Sequence, residues 1–300
     1  MLWIAGGLIY GFFTAIYTIF NQHYKLDGYL LGIWRGFGIS LIFLPFFCYF
    51  DKPDDLLYWG LLTAQGIMIG IYDSHLFFAS ALYGAGPVSR IMALSTVPTT
   101  FLWWMITPQS FNAMLTNEAL VLTIVFLLIG FTASYWNMIK SEVTKELASY
   151  MMPAIISLAG MSILTKEIAL RGADMFSALS CYLTVSTFIS GVYNSLMFIK
   201  KYHLDSNGFI ARVLAQKVRK AGVYIVSFSS VLIIAKTIAL RIAPNPGYVT
   251  VLLLTAPLFV YALNKYNHIP DEISVKSGFY MIGFLSVLVA LTAINPGVID

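Results

Sequence analysis

Gly86-Pro87-Val88-Ser89-Arg90-Ile91-Met92-Ala93-Leu94-Ser95-Thr96-Val97-Pro98 and Asn245-Pro246-Gly247-Tyr248-Val249-Thr250-Val251-Leu252-Leu253-Leu254-Thr255-Ala256-Pro257 are the two stretches that decide the fold. In each, two prolines stand eleven residues apart inside an apolar run, and the whole phrase recurs 159 residues later, with Leu94 matching Leu253 and Thr96-Val97-Pro98 matching Thr255-Ala256-Pro257. A weaker echo follows, where Ile129-Gly130-Phe131 recurs as Ile282-Gly283-Phe284. Both runs are long enough to cross a membrane, so the repeat relates two halves of a membrane protein. Proline-bearing membrane segments at corresponding positions of two halves point to a transport site between them.

Composition excludes most other classes. Of 300 residues, 59% are hydrophobic and 11% charged, with a mean hydropathy of +0.79, whereas a soluble domain is about 25% charged. No basic region precedes the first apolar run, so that run is expected to be a span and not a cleaved signal peptide. The net charge of +4 comes from basic residues spread through loops without a dense tract, which gives no footing for nucleic acid. Cys48 and Cys181 fall inside apolar runs, where buried thiols packing as small hydrophobes are expected. No spacing of Cys, His, Asp and Glu suits a metal, no Walker motif is present, and no nucleophile stands with a base. An enzyme and a cofactor are therefore not expected.

A helical span needs about 20 mostly apolar residues, and ten candidates fit: 2–22, 28–50, 56–82, 86–106, 118–139, 148–169, 175–199, 221–242, 246–265 and 275–294. Their continuous apolar character favours helices over the alternation of a membrane barrel. The clusters Lys25-Leu26-Asp27-Gly28, Asp51-Lys52-Pro53-Asp54-Asp55, Gly84-Ala85-Gly86-Pro87 and Pro244-Asn245-Pro246-Gly247 punctuate them. The basic stretch 200–220 is the longest loop, and 209–218 fits either a short surface helix or an ordinary loop. The expected fold is thus an all-α polytopic membrane protein, with residues 1–141 and 142–300 as two five-helix repeats of one membrane unit. The fourth and ninth spans match across an odd number of crossings, so the repeats are inverted.

Loops after odd-numbered spans carry Lys25, Lys140, Lys145, Lys200, Lys201, Arg212, Lys217, Arg219, Lys220, Lys265 and Lys276, against Lys52, Arg171 and Arg241 after even-numbered ones. Basic loops stay cytoplasmic, which puts both termini, Asp300 included, outside.

Six strong charges remain at membrane depth: Arg35, Asp73, Arg90, Lys166, Glu167 and Lys236, joined by His75. Such groups face a cavity or a partner. Asp73 lies eleven residues before Gly84, about 16 Å deep, and Arg35 eight residues past Asp27, about 12 Å deep. An Arg35–Asp73 pair neutralises both, either as a structural bridge or as a polar site in which Arg35 holds a carboxylate or phosphate and Asp73 an ammonium or proton. His75, two residues from Asp73, points elsewhere. It serves a proton relay or bonds a neighbouring helix. Arg90, close to Pro87, and Lys166 can snorkel to the interface. Glu167 is a second candidate for proton coupling, and Lys236 for binding. Trp34 and Tyr72 adjoin the charges and are expected as cavity walls, with Tyr248 as a further contact. Pro98 and Pro257 kink their spans. With Pro87 and Pro246 they are expected as hinges or as fixed packing kinks.

Ten spans in two halves, Gly86-Pro87-Val88-Ser89 with Pro98, Asn245-Pro246-Gly247-Tyr248 with Pro257, and the Trp34-Arg35 pair resemble the drug/metabolite transporter superfamily, in particular the EamA-like bacterial permeases. The resemblance implies a multi-pass protein of the cell (inner) membrane. It implies a central cavity lined by the first, third and fourth helices and their second-half counterparts, and export or exchange of amino acids, nucleotide derivatives, sugars or drugs. It also implies both termini inside, opposite to the charge bias. The expected function is secondary transport of a small polar or zwitterionic metabolite by a monomer, with protons or a counter-substrate as driving partner. Transport of an adenine- or nucleotide-type metabolite held by Arg35, Arg90 and Lys236 is the alternative, and a lipid flippase a more distant one.

Overall fold

The computed structural model describes residues 2–108, 118–139, 143–243, 245–270 and 275–294. Lys140, Pro244, Asp300 and the expected boundary between residues 141 and 142 lie outside them. Among the described residues there is no strand and 89% are helical, which disposes of a barrel there. In chain order the elements are α1 (Leu2–Tyr24), α2 (Gly28–Tyr49), α3 (Leu56–Tyr83), α4 (Ala85–Met92), a 3₁₀ turn (Ala93–Ser95), α5 (Thr96–Ile106), α6 (Glu118–Ile139) and α7 (Lys145–Arg171). They continue as α8 (Met175–Cys181), a π-helical turn (Tyr182–Ser186), α9 (Thr187–Tyr202), α10 (Ser206–Val213), α11 (Gln216–Ile242), α12 (Pro246–Leu253), α13 (Ala256–Tyr266) and α14 (Val275–Ile294).

Among the described residues six helical stretches are long and apolar enough to cross a membrane: Leu2–Tyr24, Gly28–Tyr49, Lys145–Arg171, Met175–Tyr202, Gln216–Ile242 and Pro246–Tyr266. The chain therefore has the make-up of a membrane-embedded helical protein. The expected spans 56–82, 86–106, 118–139 and 275–294 are helical too but stand outside those six; α3 carries Gln65, Asp73 and His75 within its length.

Short polar side chains start these helices. Asp27, Asp55, Thr144, Asp174, Asp205 and Asn245 each accept a hydrogen bond from a backbone N–H in the first turn of the helix that follows, filling donors that would otherwise have no partner. Gly84, at φ +84°, makes the turn from α3 into α4 in a conformation that side chains disfavour. Inside the helices, hydroxyls such as Thr14, Thr18, Ser80, Ser162 and Thr237 donate to carbonyls one turn back, so their polarity is met where no water is at hand.

The repeated proline phrases are breaks and not simple kinks. The first segment passes through the 3₁₀ turn and restarts as α5 just before Pro98; the second ends α12 at Leu253 and restarts as α13 just before Pro257. The two segments touch: Thr96 Oγ1 donates to the carbonyl of Thr250 at 3.2 Å, and a Cβ on Gly247 would fall 2.2 Å from Thr100 Oγ1. The echoed triplets meet as well, with Gly130 of α6 against the ring of Phe284 on α14.

Packing runs largely between the first and second half of the chain. α3 lies along α7, α1 along α11 and α2 along α9. Glycines bring two helices close to α9: Gly36 of α2 sits on the backbone of Gly191 and Thr187, and Gly70 of α3 on the ring of Tyr193, as small residues do where membrane helices meet. Of the two cysteines expected to be buried, Cys181 is, whereas Cys48 is exposed. Cys48 lies near the end of α2, among the outward-facing Leu44, Phe46 and Tyr49.

Candidate functional site

Three consecutive helices bring the deepest charges together. Arg35 of α2 reaches Asp73 of α3 through Nη1 and Oδ2, and the hydroxyl of Tyr17 on α1 donates to the other carboxylate oxygen, Oδ1, at 2.8 Å. Arg35 also stacks its guanidinium 5.5 Å from the centre of the Tyr17 ring. The side chains are 4% exposed for Arg35 and 0% for Asp73. A carboxylate in such surroundings is costly to hold unless its oxygens are met, and both are. Asp73 is therefore committed to Arg35 and Tyr17, with little left for an ammonium ligand.

Beside this pair is a small cavity of about 20 Å³ lined by buried residues, space for roughly one water molecule. Tyr10 and Tyr17 of α1, Arg35 of α2, Tyr72 of α3, Tyr182 of the π-helical turn and Lys236 of α11 form its polar wall; Ile69, Leu158, Met161, Leu232 and Ile233 form the apolar one. Lys236 is buried, and its ammonium lies 5.9 Å from the centre of the Tyr10 ring. Tyr182 is oriented from behind by Gln65, whose amide donates to the tyrosine hydroxyl at 3.0 Å and to Thr165 Oγ1 at 2.9 Å. The π-turn breaks the regular register of the segment where it meets the cavity, a place where such turns recur at functional sites.

Four expected site residues thus meet here: Arg35, Asp73, Tyr72 and Lys236. The others lie elsewhere. Trp34 donates through Nε1 to the carbonyl of Val213 at 2.9 Å and packs on Gly222, tying α10 and α11 to α2. His75 holds its Nδ1 2.8 Å from the carbonyl of Ile71, one turn back, with its ring 5.3 Å from that of Tyr150. Tyr248 packs against Trp3, ring centres 6.4 Å apart. Arg90 is buried in α4 and does not line the cavity; full burial, not snorkelling, is its arrangement. Lys166 is buried as well: it donates to the carbonyls of Ala243 and of Leu240 (3.4 Å) and sits 5.2 Å from the Trp103 ring, so it closes the C-terminal end of α11. Glu167 pairs with Arg171 at 3.2 Å, and Arg171 reaches Asp55 at 3.5 Å, a partly exposed network at the ends of α3 and α7. Pro87 and Pro246 occupy first turns of α4 and α12.

Tyr10, Tyr17, Gln65, Thr165 and Tyr182 are site residues that sequence reasoning passed over. Tyr10 and Tyr17 are seven residues apart, two helical turns, and that spacing in an apolar first helix is the signal that could have found them.

Toward both helix ends, beyond the cavity, the two halves of the chain touch through polar side chains. At the end where α1 meets α2, Lys201 pairs with Asp27 at 3.0 Å and Gln22 donates to Asn264 at 3.2 Å. At the other end, Ser177 donates to the carbonyl of Asp51 at 2.6 Å and Arg171 reaches Asp55. A second pocket, of about 500 Å³, opens at the first of these ends between Gln22, Lys25, Ser80, Tyr83, Pro87 and Asn264; Ser80 is seven residues along α3 from Asp73, about 10 Å. No family model matches the chain, and a search of curated proteins finds no match.

Proposed function

We propose that the chain is a secondary transporter that moves a small polar metabolite by alternating access through the Arg35–Lys236 cavity. The observation that carries this is a small polar cavity deep in an apolar bundle, walled by buried residues from helices of both halves, with the halves also in contact toward both helix ends. Loosening one set of contacts at a time exposes the cavity to one side and then the other. The pocket of about 500 Å³ next to Lys25 is the vestibule on one side.

On this proposal ten segments cross the membrane as two inverted five-helix repeats, as in the EamA-like permeases that the sequence resembles. Like elements meet like across the bundle: Thr96 with Thr250, Thr100 with Gly247, Gly130 with Phe284. Contact between matched segments is what a two-fold axis passing between them produces, and it supports this reading. The paired breaks before Pro98 and Pro257 are the hinges, and the vestibule faces the cytoplasm if the basic loops do. One chain contains both halves of the pathway, so the transporter works as a monomer in the cell (inner) membrane, driven by protons or a counter-substrate. A nucleotide-type substrate calls for Arg90 beside Arg35 and Lys236, and Arg90 is not part of the wall those two share.

Purified protein in sealed liposomes, offered a labelled metabolite panel under proton and counter-substrate gradients, tests the proposal. Saturable flux of at least one small polar compound is the expected result; absence of flux across the whole panel and every gradient would sink it.

A further inference from the structure

The cavity charges do not balance. Arg35 and Lys236 bring two cations, and Asp73 brings one anion already held by Arg35 and Tyr17. Among the described residues no carboxylate lies within ion-pair distance of the Lys236 ammonium, although the side chain is only 3% exposed. Arg35 adds a second open donor, because its Nε is buried without a hydrogen-bond partner. Lys236 and Arg35, both on the wall of one cavity, thus each keep a donor that nothing among the described residues meets; a lysine buried in this way either gives up its proton or is paired by an anion, and the cavity beside it is where one negative charge fits.

We infer that the transported substrate is a small organic monocarboxylate, bound with its carboxylate between Lys236 and Arg35 Nε. This rests on the transport proposal above. A single carboxylate brings the site to neutrality. A phosphate dianion overshoots by one charge. An amino-acid zwitterion brings no net charge, and its ammonium finds both Asp73 oxygens already engaged. The rest of the wall suits an organic body over an inorganic ion: Ile69, Leu158, Met161, Leu232 and Ile233 face the same space as the phenols of Tyr10 and Tyr72. At about 20 Å³ the cavity is too small for such a body, so binding accompanies separation of the walls, which is the movement transport needs.

The test is thermal unfolding of the detergent-solubilised full chain titrated through the millimolar range with acetate, butyrate and phenylacetate. Butyramide, phenylacetamide, glycine, phosphate and chloride serve as comparisons, in the parent, Lys236→Met and Lys236→Arg. Lys236→Met removes an unpaired buried cation and fills its space, so the ligand-free variant is expected to melt at or above the parent. At least one carboxylate should raise the midpoint of the parent while its amide does not; Lys236→Met should weaken that apparent affinity about tenfold or more, and Lys236→Arg should retain part of it. Equal shifts from acid and amide, shifts unchanged in Lys236→Met, preference for phosphate, chloride or glycine, or no shift from any carboxylate would overturn the inference. Flux of the same carboxylates in liposomes separates the two ideas. Carboxylate binding without flux leaves the anion site standing and removes the transporter, whereas flux of neutral or cationic compounds unaffected by Lys236→Met does the reverse.

Discussion

Arg35 and Asp73 stand 38 residues apart on neighbouring helices and close a buried ion pair whose second carboxylate oxygen is taken by Tyr17. Burying both charges costs desolvation that their attraction only roughly offsets, but removing one partner strands the other. The pair ties α1, α2 and α3 into one unit beside the cavity, and Lys236 on the same wall has no carboxylate within ion-pair distance among the described residues.

Asp73→Asn is therefore expected to destabilise the protein by about 3–5 kcal/mol, because Arg35 is left buried without its counter-charge. Adding Arg35→Gln should recover most of that loss. Unfolding midpoints of the two single variants and the double variant, compared as a cycle, check the coupling; additive losses would show that the two side chains do not act as a pair.

Gly36 lies where α2 and α9 touch, and a Cβ there falls 2.5 Å from the backbone of Gly191 and 2.7 Å from the carbonyl of Thr187. Backbone cannot step aside as a flexible side chain can, so Gly36→Ala should cost about 1–3 kcal/mol. Gly60 has nothing within 4 Å of its added Cβ, and Gly60→Ala should stabilise α3 by about 0.5–1 kcal/mol. Melting curves of the two variants should move in opposite directions.

Lys166 closes the end of α11 through the carbonyls of Ala243 and Leu240. Lys166→Met should cost about 1–3 kcal/mol in stability through those unmet carbonyls, with substrate affinity within about twofold of the parent by the criterion that this side chain lies outside the cavity wall. A large loss of affinity at unchanged stability would instead place Lys166 in the pathway.

Lys201 and Asp27 form a partly exposed pair at the vestibule end. Such pairs contribute at most about 1 kcal/mol, so Lys201→Met should leave the melting midpoint nearly unchanged. The same energy is enough to shift a closed-to-open balance by up to about fivefold. Labelling of a cavity cysteine from that end should quicken accordingly, while Arg171→Met, which loosens the opposite end, should quicken labelling from the other side.

Much of the helix layout is legible in the sequence, because length and apolar composition mark each run and an Asp, Asn or Thr stands at many of the starts. The Arg35–Asp73 pair is legible from depth alone: both residues fall well inside their runs, and opposite charges at that depth need each other. Which neighbours complete the site is not, because it depends on helix rotation. Trp34 adjoins Arg35 in sequence, but successive residues point about 100° apart on a helix, and Trp34 turns to Val213 and Gly222 instead. Tyr182 looks like any other aromatic in an apolar run until the fold sets it against Gln65, whereas Tyr17 is marked only by its two-turn spacing from Tyr10 and needs the fold to bring it to Asp73. The Gly28, Gly32 and Gly36 spacing on α2 is a readable sign of close packing, though not of the partners, which are α3 for Gly28 and α9 for Gly32 and Gly36.

Alternating exposure of the cavity is tested without knowing the substrate by placing a single cysteine at Tyr72, on the cavity wall. Cys48 and Cys181 are first replaced by Ser and Ala, and a membrane-impermeant maleimide is then applied to sealed vesicles from each side in turn. The predicted result is modification from both sides, with Lys201→Met and Arg171→Met biasing the rates in opposite directions. Modification from one side only, or from neither, in all these backgrounds would contradict it.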